Sequence, residues 1–346
     1  MSMSLLTQWA GPTPAVALAA LVLLLLLSML ALLLMRAVLA VLRPVVRGLD
    51  GLRLSARDAL GRRRGEGSYL VRVLERDAAE LLLLAAAAAA LFACGGALIW
   101  LEHQIAAGAP LVRLDQAVFD ALQRLRAPWL DIAMVALTEF GGFRIALAVG
   151  VAVFAWLAWR RQWAAAAYWA GALLGARVCV VVLKYAVERS RPASIYGGIE
   201  SFSFPSGHAT SSMVTYGFLA FLLCIGQRWR VRVPVVAVLG VLVVLIGLSR
   251  LYLGMHWLSD VLAGYALALA WIVLLGTAYL TLHAPRRLPA GQLAAVAAGA
   301  ALLVAAWLFA FRLDGIVERY RNAVIGGTPH RVLALSPRLP VPAHGG

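Results

Sequence analysis

Lys184-Tyr-Ala-Val-Glu-Arg-Ser-Arg191-Pro192, followed after a Gly- and Ser-containing loop by Pro205-Ser206-Gly207-His208, decides how the rest of this chain is read. Lys184 is the only lysine in the sequence, and it closes a long apolar run. Arg191 comes seven residues later, about two helical turns, so both cations line one face if the helix runs on. Pro192 then stops or turns that helix. Ser206-Gly207 precedes another apolar run, where a helix N-terminus offers free backbone N–H groups and a positive dipole end to an anion. Cations, N–H donors and a histidine together point to a phosphate and a proton donor for its leaving group. Taken singly, each half reads equally well as interfacial anchoring charges or as a capped turn.

The apolar runs on either side set the class. Hydrophobic residues make up 63% of the 346 and charged residues 14%. That excludes an ordinary soluble domain and implies a polytopic all-α membrane protein, since several runs reach the ~20 residues a spanning helix needs. The net charge of +15 is not a nucleic-acid signal, because most arginines lie in short loops where they set orientation. Cys94, Cys179 and Cys224 all fall inside apolar runs and read as small core residues. Arginine used almost without lysine suggests GC-rich bacterial coding.

Eight spans are expected: about 16–42, 79–101, 132–159, 164–184, 208–225, 233–248, 257–282 and 293–311. The third is interrupted at Gly141-Gly142, where a bend is expected. Residues 43–78 form the most basic loop and should be cytoplasmic. This loop could bind anionic lipids, although orientation charges explain it. Between spans two and three, Leu111, Leu114, Val118, Leu122 and Leu125 recur at helical spacing with Asp115, Asp120 and Arg124 off that stripe, as in an interfacial helix. The inner sites Arg160-Arg161, 228–232 and Arg286-Arg287 agree with this orientation; the arginine-bearing tail does not, and its side stays open. Its Pro-rich end is expected to be disordered.

A third element follows span six: Ser249-Arg250-Leu-Tyr-Leu-Gly-Met-His256-Trp-Leu-Ser-Asp260. His256 and Asp260, four apart, share a face if both are helical, and a carboxylate there can fix the imidazole tautomer. Arg250 adds a planar fork suited to phosphate oxygens. The topology puts all three elements at the same, outer side.

The pattern Lys-x6-Arg-Pro, Pro-Ser-Gly-His and Ser-Arg-x5-His-x3-Asp resembles the three-part signature of the type 2 phosphatidic acid phosphatase superfamily. The resemblance covers about 79–282, which would be the family's six-helix core. Outside it lie a first transmembrane helix (1–42), the basic loop (43–78) and a last transmembrane helix with its tail (283–346). It implies His256 as a nucleophile forming a phosphohistidine, Asp260 as its orienting partner, and His208 as general acid and then base. It further implies Lys184, Arg191, Ser206, Gly207 and Arg250 as the phosphate-binding set.

No metal and no cofactor are expected: three cations and helix-end N–H groups can stabilise the charge on three equatorial oxygens, and the outer loops lack an acidic cage. The expected function is hydrolysis of a phosphomonoester or pyrophosphate of a membrane lipid at the periplasmic face of a bacterial inner membrane. Undecaprenyl pyrophosphate, phosphatidylglycerophosphate, phosphatidic acid and lipid A phosphates are the family's candidates. A lipid-to-lipid phosphotransferase with the same intermediate, and a non-enzymatic lipid transporter, are the alternatives; neither the acceptor nor the oligomeric state is legible. Arg177, inside span four, is expected to pair structurally, with Glu139 as one partner. Glu188 and Arg189 read as a solvated face or local pair, and the tryptophans at 100, 129, 159, 229 and 257 as an aromatic belt.

Overall fold

The computed structural model of the protein describes residues 54–56, 58, 59, 62, 78–107, 110–192, 201–283 and 287–325. The expected first span, nearly all of the basic loop and the Pro-rich end of the tail lie outside these residues. From Ala78 the described residues form ten helices: α1 (Ala78–Ala106), α2 (Pro110–Arg124), α3 (Pro128–Glu139), α4 (Phe143–Trp159), α5 (Trp163–Val187), α6 (Gly207–Cys224), α7 (Trp229–Tyr252), α8 (Leu258–Leu282), α9 (Ala290–Phe311) and α10 (Leu313–Ile325). The only strand-like pairing among the described residues is an isolated antiparallel bridge between Ser190 and Phe202.

By length and apolarity α1, the α3–α4 pair, α5, α7, α8 and α9 can each cross a bilayer. The chain is an all-α, multi-pass membrane protein. α6, with 18 residues, is about 27 Å long at the helical rise. It runs through the centre of the bundle, packed by α4, α5, α7, α8 and α9. Its polar start is buried rather than solvated: Ser206, Thr210 and Ser212 are all inaccessible, with Thr210 donating to Ser206 O at 3.0 Å and Ser212 to Ala209 O at 3.1 Å. α8 crosses this end of α6 at Gly264, where a Cβ would stand 2.9 Å from Ser206 O, so any side chain there would push the two helices apart.

The expected bend in the third span is a full break. α3 ends at Glu139, and α4 restarts at Phe143 after Phe140-Gly141-Gly142. A break strands carbonyls that a continuous helix would satisfy. One of these, Phe140 O, accepts from the Tyr216 hydroxyl of α6 at 2.7 Å. The turn before α3 is fixed by Asp131, which takes Arg126 Nε at 2.8 Å and the Tyr252 hydroxyl at 2.9 Å.

Beyond the expected core, α9 lies along α4. Its buried stripe is Leu293, Ala297, Ala301, Ala305 and Leu308; three alanines at four-residue spacing permit a close approach. The chain then turns into α10, a helix the sequence reading did not anticipate. α10 packs its Ile316, Val317 and Tyr320 face back onto the bundle and touches α3.

Candidate active site

The three motifs meet at one end of the bundle, where α5 ends and α6 and α8 begin. α5 does not run on to Arg191. It stops at Val187, and Glu188 takes a left-handed conformation (φ 48°), its N–H donating to Lys184 O. Lys184 and Arg191 are therefore not on one helical face. The chain leaves α5 extended, pairs at Ser190 with Phe202, and carries Arg191 round to the start of α8. There Arg191 Nη1 donates to Met255 O at 2.7 Å and lies 2.9 Å from His256 Nε2. Lys184, fully buried, donates through Nζ to Phe202 O.

His256 and Asp260 do come together, but not along one helix. His256 precedes α8; Gly254, with φ 72°, supplies the turn that delivers it. Asp260, in the first turn of α8, accepts from Trp257 N at 2.9 Å through Oδ2. The same oxygen lies 3.6 Å from His256 Nδ1. Nε2, facing the Arg191 donor, is thus the acceptor nitrogen, and Nδ1 is left to carry the proton towards Asp260. Burial first, then the cations Arg191, Arg250 and Lys184, hold the His256 imidazole well below the ordinary histidine pKa.

Ser206 caps α6, its hydroxyl accepting from Ala209 N at 3.4 Å, and its own N–H donates to Asp260 O at 2.9 Å. Arg250 is buried near the end of α7, where Nη1 donates to Thr138 Oγ1 at 3.2 Å and to the Tyr320 hydroxyl at 2.9 Å. Arg191, Gly207, His208, Arg250 and His256 line one cavity of about 580 Å³. Its far wall is apolar and runs between α4 and α5, where Phe143, Leu147, Val151 and Leu174 are exposed on the bundle's outer face.

Two residues that the sequence reading set aside belong here. Arg189 is not on a solvated face: it donates to Asp260 Oδ1 at 2.6 Å, Asp115 Oδ2 at 2.7 Å and Ser259 Oγ at 2.7 Å. Asp115 is not on the polar side of α2; it is buried and also accepts from Ser259 N at 2.9 Å and Ser259 Oγ at 2.6 Å. Both signals were in the sequence. In extended chain, residues two apart share a face, which puts Arg189 with Arg191. Asp115 sits four after Leu111 and three before Val118, on the apolar stripe itself. Trp257 is likewise more than a belt residue, since its indole donates to Ser190 O at 3.0 Å and its ring lies beneath Arg189. Arg177 lines the cavity beside Gly207, whereas Glu139 meets Arg144 at 4.0 Å.

Comparison with known proteins fits this arrangement. The PAP2 superfamily profile matches residues 165–284, from α5 through α8. Phosphatidylglycerophosphatase B of Bacillus subtilis is 34% identical over 165 residues, covering 45% of this chain and 78% of that protein. The chain belongs to the PAP2 superfamily. Decaprenylphosphoryl-5-phosphoribose phosphatase of Mycolicibacterium smegmatis is 37% identical over 162 residues, covering 44% of this chain and 82% of its own length. The crystal structure of a transmembrane PAP2-type phosphatidylglycerolphosphate phosphatase from Bacillus subtilis superposes with a TM-score of 0.52 at 28% identity, covering 57% of this chain and 98% of that one. This PAP2 chain is thus a membrane lipid phosphatase by family, with substantial sequence beyond the shared part.

Proposed function

We propose that the protein hydrolyses the terminal phosphate of a membrane lipid through a phosphohistidine on His256, at the periplasmic face of a bacterial inner membrane. The observation that carries this is the His256 imidazole. Nε2 is turned to Arg191 at the cavity, Nδ1 to Asp260, and the cavity continues into an apolar groove. A phosphate held by Arg191, Arg250 and the α6 N-terminus, with Lys184 behind them, would present phosphorus to Nε2.

In the first step the Nε2–P bond forms and the P–O bond to the lipid breaks, while His208 gives its proton to the leaving oxygen. Asp260 stabilises the imidazolium by its carboxylate charge. In the second step His208 takes a proton from water, the water oxygen bonds phosphorus, the P–N bond breaks and phosphate leaves. Charge stabilisation by cations and N–H groups makes a divalent metal unnecessary, so turnover in EDTA should be undiminished.

The groove between α4 and α5 suits a lipid whose tail stays in the bilayer. By their names, the two curated relatives act on a glycerophospholipid phosphate and a polyprenylphosphoryl sugar phosphate. A lipid alcohol carrying a terminal phosphomonoester is therefore the substrate class proposed here.

The test uses lipid labelled at that phosphate, with no second lipid present. His256→Ala should release no label and carry none. His208→Ala, which lacks both the proton donor of the first step and the base of the second, should release little phosphate, while wild type quenched during turnover should carry an acid-labile, alkali-stable label. Normal turnover by His256→Ala would sink this reading, and label passed only to an added lipid alcohol would make the enzyme a phosphotransferase.

A further inference from the structure

α10 lies outside the segment that the PAP2 profile matches, yet it reaches the candidate phosphate site. The Tyr320 side chain is buried at 5% exposure and accepts from Arg250 Nη1 at 2.9 Å. The Arg250 guanidinium also lies over the Tyr320 ring, 5.8 Å from its centre. The second acceptor of the same Nη1 is Thr138 Oγ1, in the last turn of α3 just before the helix break. Both contacts hold one edge of the fork, and Arg250 also lines the cavity with His208 and His256.

A guanidinium on a flexible stem stabilises a transition state only if its orientation is fixed before charge develops. α10 has the build of a fixed strap for this purpose. Ile316 and Val317 bury its inner face, and Asp314, Glu318 and Arg319 point away. The covalent connection through Arg312 anchors it to α9, which is itself packed along α4.

We propose that Tyr320 is a positioning residue of the phosphatase, contributed by the C-terminal extension, which orients Arg250 for the transferring phosphoryl group. The inference rests on the phosphatase reading above and adds to it a residue that the three motifs do not contain.

Tyr320→Phe keeps the ring and removes the acceptor oxygen. Full-length Tyr320→Phe should lose about tenfold in kcat on a lipid phosphate with KM nearly unchanged, a modest part of the 10²–10³ seen when an oxyanion-site donor is removed outright. Inhibition by vanadate, a five-coordinate mimic, should weaken by the same factor. In an Arg250→Lys background the further change should cost nothing, because the coupling runs through the planar fork. Wild-type kcat and vanadate inhibition in Tyr320→Phe would overturn the proposal, as would a full, independent loss on top of Arg250→Lys. Should Tyr320→Phe fold poorly, Thr138→Val, which removes the other acceptor of Nη1, is read in the same assays. It should give the same pattern, and unchanged values there overturn the idea equally. A wild-type protein that neither releases phosphate nor binds vanadate would instead sink the phosphatase reading itself.

Discussion

Arg189 lies between two buried carboxylates, Asp115 and Asp260, and so decides which oxygen of Asp260 is left for the imidazole. With Oδ1 taken by Arg189, Oδ2 is presented to Trp257 N and His256 Nδ1. Removing one partner of a buried ion pair leaves an uncompensated charge, a loss of about 3–5 kcal/mol. Arg189→Met should therefore lower the thermal unfolding temperature in detergent and lower kcat as well. Adding Asp115→Asn to it should recover part of the stability, since one of the two stranded carboxylates is gone; strictly additive losses would argue that the three groups do not act as a unit. A second expectation concerns pH. In the proposed mechanism the nucleophile is the neutral His256 imidazole, and burial among cations lowers the His256 pKa, so the neutral form persists as pH falls. The acid limb of kcat/KM, which reports the free enzyme, should lie below the usual histidine pKa of about 6.5 once the titration of the substrate phosphate is subtracted. A limb above that value would assign the titrating group elsewhere.

At the scale of helices, sequence and structure agree where apolarity decides and part where a chain reversal decides. α1, α5, α8 and α9 begin and end within a few residues of the apolar runs, because in lipid the backbone has no alternative to a helix. The break at Phe140–Gly142 was legible from two adjacent glycines. The three motifs were legible as residues, but neither pair shares a helical face: Lys184 and Arg191 are separated by a left-handed Glu188, and His256 stands outside α8. A left-handed non-glycine residue leaves no mark in composition, and beyond it the side-chain period changes from helical to extended. Arg189, expected on a solvated face or in a local pair, lies in this extended stretch, where the period of two sets it with Arg191. Tyr320 was hidden for another reason. A contact between residues 70 positions apart, made by a short amphipathic helix after the last span, has no local signature.

Taken as a whole, the molecule places its reactive groups at one end of the bundle and gives them two surroundings. On one side hydroxyl groups of α3 and α10 hold Arg250 of α7. On the other, the cavity opens along α4 and α5, whose Phe143 and Leu174 side chains are 73% and 68% exposed. Exposed apolar side chains of that size on a spanning helix belong against lipid, so the cavity can receive a head group from the side while its tail remains in the bilayer. Ala146, half-buried on the α4 wall of the cavity, is where a larger side chain would obstruct the tail. Ala146→Trp should therefore raise KM for a long-chain lipid phosphate more than tenfold: displacing about two methylenes of tail loses about 0.8 kcal/mol each. Hydrolysis of a water-soluble phosphate ester, which needs only the polar end, should stay within about twofold of wild type, since such a ligand forgoes only the uniform binding that the tail supplies. Kinetics on the two substrates side by side separate the possibilities. Equal loss on both would mean that the substitution disturbs the catalytic end, and no loss on either would mean that the tail takes another route.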